Sequence, residues 1–298
     1  MSTDTDAVAS DGTDETGCAA ATARIPGAAD AFGGSTADPL VVRDVEGPAA
    51  MAACIGLYTE VMGLRPADGG LNPRLLTALQ TNGGIVVAAY ESGDPARPVG
   101  FAYSFLAREP GGELFQFSQL AVVARHLQGR GVGRLLKYAQ RERALAMGLT
   151  RIRWSYDPLK TRNAHFNLDV LGGRISVLKP SMYGDEGFGD DTGEPTDRFL
   201  LDWDLTRPAM VQPELPDRAW QPGECLAYGD DLLIAVPALW DLHRTAIGAS
   251  AAAALRTSLR ETFTEALTTH VGVSCLRVTD DLAVYRFVPR GTDQEVAS

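Results

Sequence analysis

Leu120-Ala-Val-Val-Ala-Arg-His-Leu-Gln128-Gly129-Arg130-Gly131-Val132-Gly133-Arg134-Leu-Leu-Lys137 is the stretch on which the fold turns. Apolar residues from Leu114 to Val123 read as a strand, and Val132, Leu135, Leu136 and Ala139 recur at helical spacing from about Gly131 to Met147. Between strand and helix stand three glycines in five residues. Without Cβ atoms they let successive backbone N–H groups converge on an anion, and the loop opens into a helix N-terminus whose dipole favours negative charge. That pattern fits a pyrophosphate cradle; it equally fits a glycine-rich turn that only packs the helix on the sheet. Two other phosphate loops do not fit. A dinucleotide fingerprint beginning at Gly129 and Gly131 would need its third glycine where Arg134 stands, and a Walker loop would need Lys137 directly after a glycine.

Outward from this loop the chain alternates strands and helices. Upstream, Leu40 to Val42 reads as a strand, and Met51, Cys54, Ile55, Tyr58 and Met62 form a helical stripe opened by Gly47-Pro48 and stopped by Gly63. Asn72-Pro73 opens a second helix; Ile85 to Tyr90 and Val99 to Leu106 are strands, the latter joined to Leu114 through the Pro110-Gly111-Gly112 turn. Downstream, Ile152 to Tyr156 is a strand, Asn163 to Leu171 a helix, and Ile175 to Leu178 and Phe199 to Leu205 two more strands. Pro208, Pro213, Pro216 and Pro222 suggest a boundary. Beyond it, Leu232 to Val236 reads as a strand, Leu255, Leu259, Phe263 and Leu267 as a helix stripe, and Val271 to Val278 with Leu282 to Val288 as a hairpin. These apolar faces must be covered by the core sheet or by a second copy, so a homodimer through this unit is one expectation.

Composition bounds the function. With 45% hydrophobic and 22% charged residues the chain is globular, and its weakly polar run at Ala249 to Leu255 is too short to span a bilayer. The net charge of −11 disfavours nonspecific nucleic-acid binding, which needs a basic surface. Residues 1–38 hold −6 of that charge and almost no periodic apolar positions, which reads as a disordered acidic tail. Cys18, Cys54, Cys225 and Cys275 are scattered, with no zinc or disulfide spacing, and the N-terminus lacks a basic stretch followed by an apolar run. A reducing cytoplasm is the expected location. No metal is expected, since the histidines have no ligand spacing.

A strand followed by Gln128-x-x-Gly131-x-Gly133 and then a helix resembles the coenzyme A motif of the GNAT superfamily of N-acetyltransferases. The resemblance covers about residues 40–205, and the element order β-α-α-β-β-β-α-β-α-β-β is similar to that family's. It implies a mixed, mainly antiparallel α/β sheet flanked by helices, with acetyl-CoA as cosubstrate. Main-chain groups of Leu120, Ala121 and Val122 would meet the pantetheine arm. Amides from Gln128 through Gly129, Arg130, Gly131 and Val132 to Gly133 would hold the pyrophosphate, with Arg134 as accessory cation. A bulge would splay the loop strand from the next. Asn163 to Gly172 resembles the family's later helix, putting Asn163 and Phe166 near the cofactor, but Asn167 stands where many members carry a tyrosine acid. The stretch from Trp154 to Gly172, with Met182-Tyr-Gly184 and Pro195-Thr-Asp-Arg198, is similar to a bacterial branch of the superfamily.

Transfer of an acyl group to an amine needs a base for the ammonium proton and an acid for the departing thiolate. Candidates are Glu113, which also reads as a turn residue; Gln119 and Ser118, able to position a water; and Tyr183, a substitute for the missing acid, with Tyr156 behind it. His126 and His165 read as solvated or packing residues. Asp185, Glu186, Asp190, Asp191, Glu194 and Asp197 form an acidic run that is either a solvated loop or a field concentrating a cationic amine. The expectation is therefore a tail over 1–38, an acyltransferase domain over 39–206 acting on a small-molecule amine in a ternary complex, and an appended αβ unit over 207–298. The rival reading is a noncatalytic acyl-CoA-binding or regulatory module.

Overall fold

The computed structural model of the chain describes residues 40–64, 70–184 and 194–291; the acidic tail and Asp185, Glu186, Asp190 and Asp191 lie outside them. The first strands and helices are β1 (Leu40–Asp44), α1 (Gly47–Met62), α2 (Pro73–Thr81), β2 (Ile85–Glu91), β3 (Pro98–Arg108) and β4 (Leu114–Val123). Then come α3 (Val132–Ala146), β5 (Arg151–Tyr156), α4 (Thr161–His165), β6 (Arg174–Lys179) and β7 (Arg198–Asp204). This is the expected order. Local chemistry sets the helix ends: the Asn72 side chain accepts the Leu75 N–H and Pro73 begins α2, while α1 stops at Gly63 in the left-handed region.

The strands form one sheet, in the order β1-β2-β3-β4-β5-β7-β6 over this part of the chain. Among the described pairings only β4 with β5 is parallel. α3 packs on one face of β1 to β5, and α1 and α2 on the other, which is why β2 is buried on both sides and reads as an unbroken apolar run.

Residues beyond 207 supply β8 (Cys225–Tyr228), β9 (Asp231–Pro237), α5 (Trp240–Ile247), α6 (Ala249–Thr269), β10 (His270–Arg277) and β11 (Leu282–Pro289). They extend the existing sheet: β10 pairs with β6 where Gly272 meets Ile175. A Cβ at Gly272 would stand 2.6 Å from Ile175 Cδ1, so only glycine permits this approach. α6 lays Leu259, Phe263 and Leu267 over the junction, where Phe199 meets Phe263, Tyr285 and Phe287 edge to face, with 4.9 Å between the Phe199 and Phe263 centroids. The stripe is thus buried against its own chain and gives no reason to invoke a second copy. The short β8 and α5 carry weak periodicity and were not foreseen from the sequence. No helix among the described residues is long and apolar enough to cross a membrane.

Candidate active site at the split between two strands

β3 and β4 pair residue for residue until the register shifts: Ser104 faces Ser118, but Tyr103 faces Leu120. Gln119 is the extra residue, and it stands exposed as the bulge. The β4–β5 ladder holds at Gln116 with Ile152 and Phe117 with Arg153 and goes no further. From Ser118 onward β4 therefore diverges from β5, while β5 stays bonded to β7 through Tyr156. The result is a V whose vertex lies between Ser118 and Trp154. The backbone groups of Leu120, Ala121 and Val122 that point away from β3 line its β4 arm.

The glycine loop closes the open end of this V. Gly131 precedes α3 at φ 84°, Gly129 has φ 78°, and no side chain caps the helix. A Cβ at Gly131 would meet nothing within 4 Å, so the space in front of its amide is open. The first-turn amides of Val132, Gly133 and Arg134 have no helical acceptor behind them. Two of the predicted amides are not available: Gln128 N–H bonds Arg125 O and Arg130 N–H bonds Leu127 O, because a short 3₁₀ turn over Arg125–Leu127 tightens the loop. The Gln128 side chain folds back to Val123 O. α4 forms the far wall. Its Arg162 guanidinium lies 3.0 Å from the Cβ position of Gly129, and Phe166 Cζ 3.9 Å from that of Gly133. Asn163 is exposed beside them. Among the described residues Arg130, Arg134 and Arg162 form no ion pair, so three cations stand around the loop. Arg162 was missed from the sequence because nothing in its neighbourhood marks which residues of α4 face the loop.

On the α1 side of the V, tyrosines gather. Tyr183 Oη lies 3.1 Å from Ser155 Oγ of β5. Burial, helped by the nearby Tyr58 and Tyr183, pushes the Tyr103 hydroxyl up to about 12. The segment bearing Tyr183 is fixed by Asp197, which accepts the Ser181 N–H, and by Thr196, which accepts the Tyr183 N–H and donates to Gly184 O. Tyr156 faces the other way into the aromatic core.

On the α3 side, Lys137 is buried at 4% exposure with no carboxylate partner among the described residues. Its Nζ donates to Ser118 Oγ at 2.9 Å and sits 3.9 Å from the Trp154 ring centroid. Ser118 in turn donates to Gln140 Oε1 at 2.9 Å, and Gln140 Nε2 is buried without an acceptor. Desolvation lowers the Lys137 ammonium from 10.5 to about 7. The sequence held a signal for this pair, since Lys137 and Gln140 fall on the helical face of Val132, Leu136 and Ala144.

Other predicted residues lie elsewhere. Glu113 sits in the β3–β4 turn, more than half exposed, and pairs with Arg151; the structure does not bring it to the V. His126 is exposed, and His165 bonds Asp169, which also accepts from Ser274 and the Cys275 N–H and ties α4 to β10. Of the acidic run, Glu194 bonds Arg256 and Arg244 while Asp197 bonds Arg260, so these two carboxylates are structural and not free to steer a ligand. Among the described residues no group of three or more His, Cys, Asp or Glu is placed to hold a metal.

Neither a protein-family model nor a curated protein matches the sequence. Solved structures are similar to part of it. The Salmonella typhimurium protein yncA, with its cofactor acetyl-CoA, is 19% identical with a TM-score of 0.46, over 57% of this chain and 96% of its own. A ribosomal-protein-alanine N-acetyltransferase from Brucella melitensis is 16% identical with a TM-score of 0.45, over 55% and 98%. An acetyltransferase of the GNAT family from Streptococcus pneumoniae is 16% identical with a TM-score of 0.42, over 55% and 98%. Over a little more than half its length, this chain is similar to acetyltransferases of the GNAT family.

Proposed function

We propose that this chain transfers an acetyl group from acetyl-CoA to the amine of a small molecule, by direct attack in a ternary complex. One observation carries the reading: the β4 bulge at Gln119 opens a V that leads straight to the uncapped, glycine-lined start of α3. The residues present fit the cosubstrate. Leu120 to Val122 offer the main-chain groups that point away from β3 to an extended amide-bearing arm, the amides of Gly129 and of Gly131 to Arg134 face a diphosphate, and Arg130, Arg134 and Arg162 neutralise it. Acetyl-CoA supplies the activated acyl carbon.

The protein's contribution is to position and polarise. The V keeps the acyl arm extended and excludes water on its α3 side. Gln119 stands at the bulge, where an exposed amide can hold a water for the incoming amine's proton. Tyr183, set against Ser155, gives its proton to the leaving sulfur and regains one from the reaction. Asp185, Glu186, Asp190 and Asp191 of the sequence favour a cationic acceptor by charge alone. Calorimetry with acetyl-CoA tests the first half, and single-turnover transfer to pooled amines tests the second. Binding without transfer to any amine would favour the noncatalytic module.

A further inference from the structure

Lys137 has no use in the reading above, yet its placement is costly. A buried ammonium without a carboxylate is disfavoured unless some later event supplies the missing charge. On α3, Arg134 turns to the Tyr138 ring and Arg141 to Leu205 O, leaving Gln140 as the neighbour. β4 contributes Ser118 and β5 contributes Trp154. Arg151 and Arg153 alternate to the opposite side of β5, where they bond Glu109 and Asp202. Tyr156, on the Trp154 side, is fully buried, and burial holds its phenol neutral. Among the described residues no anion faces Lys137.

We infer that the Lys137 ammonium, through Ser118 at the vertex of the V, stabilises the thiolate of coenzyme A as it leaves. The inference rests on the acetyl-transfer reading. When the amine nitrogen bonds the acyl carbon and the C–S bond breaks, the electron pair stays on sulfur. Ser118 then turns its O–H from Gln140 to that sulfur while still accepting from Lys137, and the ammonium gains the counter-charge that the resting protein lacks. Tyr183 completes the step with its proton, which the amine's lost proton replaces. The stabilisation exists in the transition state and is absent from the neutral thioester, which is the condition for lowering a barrier. Lys137 touches no reacting atom and is a positioning residue for Ser118. The ammonium must be charged to act, and burial has brought its titration to about 7. Activity at limiting substrate should therefore fall as pH rises through that region.

The test reads the thiol of bound coenzyme A by its thiolate ultraviolet absorbance, in wild type, Lys137→Met and Ser118→Ala. In wild type the bound thiol should titrate at least about one pH unit below its value in either variant. Lys137→Met should also lose about 10²-fold in kcat at constant acceptor KM and lack the descending limb near neutrality. Should Lys137→Met fail to fold, Ser118→Ala keeps the lysine, breaks the bridge and carries the same comparison. Coenzyme A bound with the same thiol titration in wild type and variants overturns this role alone. A wild-type protein that binds no coenzyme A overturns it together with the acetyl-transfer reading.

Discussion

Gly131 holds its left-handed conformation with open space before it, so the residue matters for what approaches and less for what it touches. Gly131→Val would cost about 1–2 kcal/mol of backbone strain and place a branched side chain where a diphosphate meets the amides. Acetyl-CoA affinity should become undetectable by calorimetry while the circular dichroism stays native. Tyr183→Phe removes the hydroxyl facing Ser155 and nothing else; kcat should fall about 10²-fold with acceptor KM nearly constant. Lys137 gives a stability signature independent of catalysis. Its folded-state value near 7 lies below 10.5, so between those limits the unfolded chain binds more protons. The destabilisation it causes is complete below pH 7 and fades toward pH 10.5. Lys137→Met should therefore melt higher than wild type at pH 6.5, by a margin on the order of 2–4 kcal/mol that shrinks by pH 10.

At the scale of elements, α6 reaches the candidate site without entering it. Arg260 bonds Asp197, Arg256 and Arg244 bond Glu194, and Asp197 also holds the Ser181 N–H two residues before Tyr183. α4 is tethered likewise: Thr161 donates to Ala238 O, Lys160 pairs with Asp241, and Asp169 bonds β10. The residues after 207, mostly of α5 and α6, thus fix both walls of the V. Arg260→Ala leaves the Asp197 carboxylate buried with one backbone donor, which should lower stability by about 3 kcal/mol. It should also lower kcat with acetyl-CoA affinity unchanged, because the diphosphate loop lies at the other end. Steady-state kinetics beside thermal melts check both halves; unchanged kcat would mean that Tyr183 is held without α6.

For the whole molecule, the C-terminal residues continue the same eleven-stranded sheet, joined to it where Gly272 of β10 meets Ile175 of β6. Ending the chain at Arg207 would bare the β6 edge and one side of the Phe199 cluster. Such a truncation should aggregate or be lost on size-exclusion chromatography. A soluble, fully active monomer would show that the sheet stands without its extension.

The sequence by itself determined the parts whose physics is local. Strand and helix periodicity, the Asn72 and Gly63 caps and the Gly129 to Gly133 loop are set by residues within a few positions of one another, so the order of elements through β7 and the glycine loop that opens α3 could be read directly. Tertiary structure alone decided what depends on register and side-chain direction. The bulge at Gln119 exists because β3 and β4 disagree by one residue, and no single strand carries that information. Glu113 went to a turn ion pair, Glu194 and Asp197 to α6 arginines, and Arg162 to the loop, because distant elements chose the partner of each charge. Lys137 is the sharpest case: a lysine on a helix is ordinarily solvated, and only the packing of α3 over the β4–β5 vertex removes its water and supplies no counter-ion in return.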